Sequence, residues 1–163
     1  MRIRSKTVIL ILARTFSRRH HRAGQETRFA ESVTQGTKIH TIRSDYDLWS
    51  HNIDKVRNGN FFLSLRQWQG ESFRSKHIEV KELKTTVGYE RIILECDPDT
   101  RALTATINGT PYHDIELLAH NEGLTYDDFV DWFFGQGIYR TRFKGIIVHF
   151  TDFRYNSNLL LLK

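Results

Sequence analysis

Gly36-Thr37-Lys38-Ile39-His40-Thr41-Ile42-Arg43 joins a short helical pattern to a strand and gathers an ammonium, a hydroxyl and a guanidinium into one small segment. Upstream, Phe29 and Val33 stand four apart, which puts both on one helical face. Gly36 is the residue type that closes such a helix in the left-handed conformation, and a strand is predicted over 38–43. In a regular ladder Thr41 and Arg43 share one face, while Lys38 points the other way. All three act together only if the backbone bends or bulges. Read as ordinary strand chemistry, Lys38 snorkels, Thr41 fills a β position for which it has good propensity, and Arg43 pairs with Asp45.

Toward the amino terminus, Val8-Ile9-Leu10-Ile11-Leu12-Ala13 follows basic residues. The run is too short for a secretion signal and lacks a small-residue cleavage site, so it predicts a buried first strand. Ser17-Arg18-Arg19-His20-His21-Arg22-Ala23-Gly24 has no apolar period and reads as a solvated basic loop able to meet phosphate.

Toward the carboxyl terminus, Ser44 with Asp47 resembles a capping box, opening a helix striped by Tyr46, Trp49, Ile53 and Val56. Asn58-Gly59-Asn60 is a turn that introduces a strand over 61–68, followed by strands over 75–86, 89–96 and 102–107. The last two flank Asp97-Pro98-Asp99-Thr100, a hairpin connection, and Asn108-Gly109 ends the pair. Asp114 caps a helix carrying Ile115, Leu118 and Ala119, which Gly123 terminates. Thr125 and Asp128 open another, with Phe129, Val130 and Phe133, stopped by Gly135 and Gly137. A buried strand over 143–153 and a short one over 159–162 complete the pattern. The whole reads as one α+β domain, residues 1–163, in which short strands form a small mixed barrel and side helices cover its open seams.

A chain of 163 residues with 39% apolar composition can bury one sizeable core, and its 26% charged content does not suit disorder. The net charge of +5 favours phosphate-bearing partners, a nucleotide or RNA. Cys96 is the sole cysteine, which rules out an internal disulfide and fits a reducing, cytoplasmic setting. No apolar run has transmembrane length, so no membrane is expected, and no feature calls for an obligate protein partner. The eight histidines form no zinc spacing, so no metal is expected. Trp49, Trp68 and Trp132 fall on apolar stripes or strands and read as core, although one of them could line a base-stacking pocket. Glu122 sits at a helix carboxyl end, where the dipole disfavours an acid. It is either an exposed glutamate on a solvated end or one of the local exceptions that mark functional positions.

Gly36-x-Lys38-x-x-Thr41-x-Arg43 resembles the G-x-K-x-x-[E/T]-x-R signature of the activating signal cointegrator homology (ASCH) domains, of the pseudouridine-synthase-and-archaeosine-transglycosylase-like (PUA-like) superfamily. The ending Thr41-Ile42-Arg43 is similar to that of the small bacterial N4-acetylcytidine amidohydrolases. Ala119-His120-Asn121-Glu122-Gly123-Leu124-Thr125 resembles the segment of those hydrolases that supplies a glutamate before a helix-capping threonine. The resemblance implies a PUA-like barrel and hydrolysis of an acyl group from the exocyclic amine of a modified nucleoside. It also implies a catalytic set of Lys38, Thr41 and Glu122, with Arg43 and Gly36 binding substrate and no cofactor. Thr41 would be the nucleophile and a neutral Lys38 its base. A tight Lys38–Glu122 ion pair would oppose that role, so Glu122 is expected at the cytosine amine edge or as proton donor to the leaving amine. The alternative is a non-catalytic PUA-like module that binds RNA or a nucleotide. The longer amino terminus with its basic loop at 18–22 and an extra hairpin at 89–108 depart from the family pattern, and both additions are expected to reshape the pocket mouth.

Overall fold

A computed structural model of the chain describes residues 6–156, so the strand expected over 159–162 lies outside the described residues. The described residues form a mixed α+β structure. In order along the chain come β1 (Lys6–Leu12), α1 (Phe29–Gln35), β2 (His40–Arg43), α2 (Tyr46–Asn58), β3 (Phe61–Trp68) and β4 (His77–Leu83). They are followed by β5 (Gly88–Cys96), β6 (Leu103–Ile107), β7 (Thr110–Tyr112), α3 (Ile115–Asn121), α4 (Tyr126–Phe134) and β8 (Arg142–His149).

The strands fall into two sheets, ordered β1-β3-β4 and β2-β8-β5-β6-β7. β1 runs parallel to β3, and every other pairing is antiparallel. No closed barrel is formed among the described residues; each sheet keeps two edges. β1 is an edge of the first sheet and β2 an edge of the second. The Arg43 guanidinium crosses between them, donating to the Ile11 carbonyl oxygen at 2.6 Å. That bond replaces the expected pairing of Arg43 with Asp45.

Asp45, and not Ser44, caps α2: its carboxylate accepts from the Leu48 amide at 3.1 Å. A carboxylate committed to a helix amino terminus is drawn to the amide and the dipole there. The expected stripe does face inward, with Ile53 and Val56 fully buried and Tyr46 and Trp49 packed against the core.

β1 is covered on one face only. Val8, Leu10 and Leu12 are buried, while Ile9 is 46% exposed. A continuous apolar run suggests cover on both sides, but alternation in an edge strand leaves every second residue outside. The hairpin at 89–108 is also no appendage. β5 pairs with both β6 and β8 and lies in the middle of the five-stranded sheet, where Ile92 and Leu94 are fully buried. Asn108-Gly109 leads on into β7, a three-residue edge strand that tolerates Pro111 because an edge needs fewer amide donors.

Gly145 in β8 fixes how closely β2 approaches. A Cβ there would collide with the Arg43 carbonyl oxygen. Gly145→Ala should therefore lower stability by about 1–3 kcal/mol in urea unfolding, the usual range for overpacking. It should also disturb Arg43 more than residues of β5 and β6, as amide chemical shifts would report.

Candidate functional site

Where the two sheet edges meet, a hollow of about 300 Å³ is lined by Ile11, Ala13, Phe29, Thr41, Ile42, Arg43, Trp68, Ser72, Glu122 and Trp132. Its wall is mostly apolar, with a few convergent polar groups, as small-molecule sites tend to be. Five separate elements or their flanks contribute: β1, α1, β2, the end of β3 and α4, together with the residue that ends α3.

β2 is the key element because its two faces do different things. The odd positions Thr41 and Arg43 present their polar side chains to the hollow, with Ile42 lining it between them. The Thr41 hydroxyl has no hydrogen-bond partner among the described residues. Since His149 Nδ1 is the one sealed polar side-chain atom without a partner there, the Thr41 oxygen must be open to the hollow. Glu122 gathers groups from the even positions, two side chains and one backbone amide. Its Oε1 accepts from the Ile42 amide at 2.9 Å, its Oε2 meets His40 Nδ1 at 2.7 Å, and the Lys38 ammonium lies 3.5 Å from Oε1.

Lys38 is buried, at 2% exposure, and precedes β2. Its amide donates to Ser32 O in the last turn of α1, and the next amide, Ile39, donates to Asn121 O at the end of α3. Two helix ends thus hold its backbone. Its side chain lies over Gly123, whose φ of 85° and lack of a Cβ let the chains come this close. The ammonium donates to the Glu122 carbonyl at 2.6 Å and sits 4.3 Å from the Phe29 ring centroid. Lys38 is not among the lining residues; it is reached from the hollow through Glu122. No bulge brings it to the face of Thr41.

Burial lowers the Lys38 pKa to about 8. The Glu122 carboxylate pulls against that shift and Arg43 adds to it. Burial also disfavours an ionised Glu122, but Lys38, His40 and the Ile42 amide outweigh it and hold the carboxyl below its ordinary value. The ion pair that the sequence reading set against a neutral base therefore forms, and desolvation still leaves the amine within reach of deprotonation. At pH 7 roughly a tenth of such an amine is neutral. Glu122 is therefore ionised at rest, so it can serve a leaving amine as proton donor only after it has itself taken up a proton. The misfit of an acid at the end of α3 is explained by three partners, one of them a cation also bonded to the helix-end carbonyl.

Behind Glu122 the polar network continues. His40 Nε2 meets the Tyr155 hydroxyl at 2.6 Å, and Asn121 Nδ2 donates to that oxygen at 3.1 Å. Burial lowers the His40 pKa against the pull of Glu122. Alongside, His149 Nε2 bonds Glu90 Oε1 at 2.8 Å, which also accepts from the Tyr155 amide at 2.8 Å. Burial brings the His149 pKa down to about 4. Sequence reasoning missed His40, Asn121, Tyr155, Glu90 and His149. His40 alone left a signal, since it shares strand parity with Lys38. Gly36, expected at the substrate, is instead the left-handed cap of α1 and does not line the hollow. None of residues 89–108 lines it, so the hairpin does not shape its mouth.

The basic loop is not wholly solvated. His20 is buried: its Nδ1 accepts from the Arg22 amide at 2.9 Å, which leaves Nε2 to donate to Asp128 O at 3.0 Å. His21 Nδ1 bonds Asp131, Arg22 pairs with Asp128 at 2.7 Å, and Arg101 pairs with Asp131. Two acids on α4 thus draw part of the loop inward. His20, His21 and Asp131 also lie close enough to offer three ligand atoms within 4.8 Å. Two arginines already neutralise both acids, however, and the His20 nitrogens are committed. The chain was compared with known protein families, with curated proteins and with solved structures, and nothing matched in any of the three comparisons. No described helix is long and apolar enough to cross a membrane.

Proposed function

We propose that the protein is an amidohydrolase that removes an acyl group from the exocyclic amine of a modified nucleoside such as N4-acetylcytidine, on an ASCH-like, PUA-like framework opened into two sheets. The observation that carries this reading is the open Thr41 hydroxyl. It shares a half-enclosed, mostly apolar hollow with Arg43 and with Glu122, a buried residue 84 positions from Lys38 whose carboxylate lies 3.5 Å from the Lys38 ammonium and whose backbone carbonyl accepts from it. That burial supports the reading because charges and proton donors act far more strongly where water is excluded.

In this mechanism Thr41 Oγ1 attacks the acetyl carbonyl carbon. Its proton passes to Glu122, which hands a proton on to neutral Lys38 across the 3.5 Å contact. Arg43 carries the charge that develops on the carbonyl oxygen. The bond to N4 then breaks as that nitrogen takes the proton back by the same route, leaving cytidine and an acetyl ester on Thr41. Water cleaves the ester, releasing acetate and restoring the hydroxyl. Arginine could not replace Lys38, because its guanidinium stays protonated.

Since the neutral amine is the active form, the rate should climb about tenfold per pH unit below pH 8 and level off above it. Lys38→Ala should abolish the activity. The test is to incubate the protein with N4-acetylcytidine and follow acetyl loss by absorbance. Steady loss that depends on Thr41 and Lys38 supports the reading. Binding of N4-acetylcytidine without turnover would leave the chain a non-catalytic binding module.

A further inference from the structure

The part of the basic loop that Asp128 and Asp131 do not draw inward forms a surface of its own. The Arg19 guanidinium lies 4.1 Å from the centroid of the Tyr139 ring, and that of Arg140 lies 5.0 Å from the same centroid and 5.1 Å from that of Phe143. The loop is pinned where these groups meet. Gln136 donates its amide to Arg19 O at 2.8 Å, Arg101 donates to Gln136 O at 3.1 Å, and Arg140 Nε donates to Phe133 O at 2.7 Å.

Charge separates this surface from the rest of the loop. Arg22 and Arg101 are spent on Asp128 and Asp131. Among the described residues no carboxylate lies within 4.0 Å of Arg18, Arg19, Arg140 or Arg142. Stacking on an aromatic ring orders a guanidinium while leaving its in-plane donors free, and that fork matches a phosphate. Tyr139, half exposed, is the one exposed large hydrophobic residue in segments 17–22 and 135–144, so nothing here would anchor the protein in lipid.

We propose that Arg19 and Arg140, held on the two sides of this patch by their contacts with Tyr139 and joined by Arg18 next to Arg19 in the chain, form a binding surface for the phosphodiester backbone of a nucleic acid strand. The surface is independent of the hydrolase reading, because it shares no residue with the hollow and its test reads binding alone.

The experiment measures the affinity of the full chain for fluorescent single-stranded RNA and DNA, in separate arms, across a series of salt concentrations. The expected result is binding that weakens steeply with salt, and a preference between the arms identifies the source of the phosphates. Arg19→Ala with Arg140→Ala should weaken binding about tenfold and flatten the logarithmic salt slope by about 0.7 for each phosphate that is no longer neutralised. Arg19→Ala alone, at an exposed position, should show half the change in slope without touching the bond from Arg140 to Phe133. Lys55→Glu, which alters net charge on α2, should leave the affinity nearly unchanged. The proposal is overturned if the native chain binds neither strand, or if the arginine variants bind like the native protein. It is equally overturned if Lys55→Glu weakens binding as much as they do, or if phosphatidylserine vesicles are bound in preference to oligonucleotides.

Discussion

Thr41→Ala should cut turnover of N4-acetylcytidine on the order of a thousandfold or more while leaving the protein folded. Removing an attacking hydroxyl typically leaves only the rate that binding and charge stabilisation provide. Thr41 sits on an edge strand with its side chain toward the hollow and its hydroxyl bonded to no described residue, so its removal strands no structural partner. Thr41→Ser keeps the oxygen and should retain measurable activity. The check is kcat for both variants beside their thermal melting curves. If the alanine variant turned over like the native protein, Thr41 would not be the nucleophile.

Glu122→Ala should have the largest effect on stability, about 3–5 kcal/mol by urea unfolding. The substitution strips a buried ammonium of its counter-ion and also frees the Ile42 amide and His40. Adding Lys38→Met should recover part of that loss, since removing both charges is far cheaper than leaving one unpaired. The same pair sets the pH dependence of stability. The Glu122 pKa is depressed in the folded state, so its contribution is present above the ordinary carboxyl value and is lost as pH falls through the folded one. The Lys38 pKa is depressed from 10.5 to about 8. Between those values the unfolded chain binds more protons than the folded one, so stability should rise with pH across that window.

Much of the local architecture was legible in the sequence because each signal had a local physical cause. Gly36 caps α1, the Tyr46-to-Val56 stripe faces inward, Asp114 and Thr125 cap α3 and α4, and the β5–β6 hairpin turns where Asp97-Pro98-Asp99-Thr100 requires it. What did not follow from the sequence depends on distant pairing. Nothing local tells that β1 lies beside β3 in parallel, that the strands divide into two sheets, or that the 89–108 segment occupies the middle of one. The choice of Asp45 over Ser44 as cap turned on a left-handed backbone, φ 58°, that spacing does not reveal.

The site divides in the same way. Strand parity placed Thr41 and Arg43 together and Lys38 opposite, and the helix-dipole misfit marked Glu122 as unusual. The meaning of that misfit needed the fold, because only tertiary structure brings Lys38, His40 and the Ile42 amide around one carboxylate. His20 and His21 misled for a similar reason: a cluster of basic residues looks solvated until two acids from a distant helix are placed against it.

The hydrolase chemistry depends on a buried amine behind Glu122 that gives up its proton near pH 8. An NMR pH titration of the Lys38 side-chain nitrogen, in protein carrying labelled lysine and with Lys38→Met to assign the signal, reads that proton loss. A midpoint near 8 is the expected result. A midpoint at the ordinary value of 10.5 would contradict it, because Lys38 would then be a permanent cation holding Glu122 in place, and Glu122 would have no acceptor to which to pass the Thr41 proton.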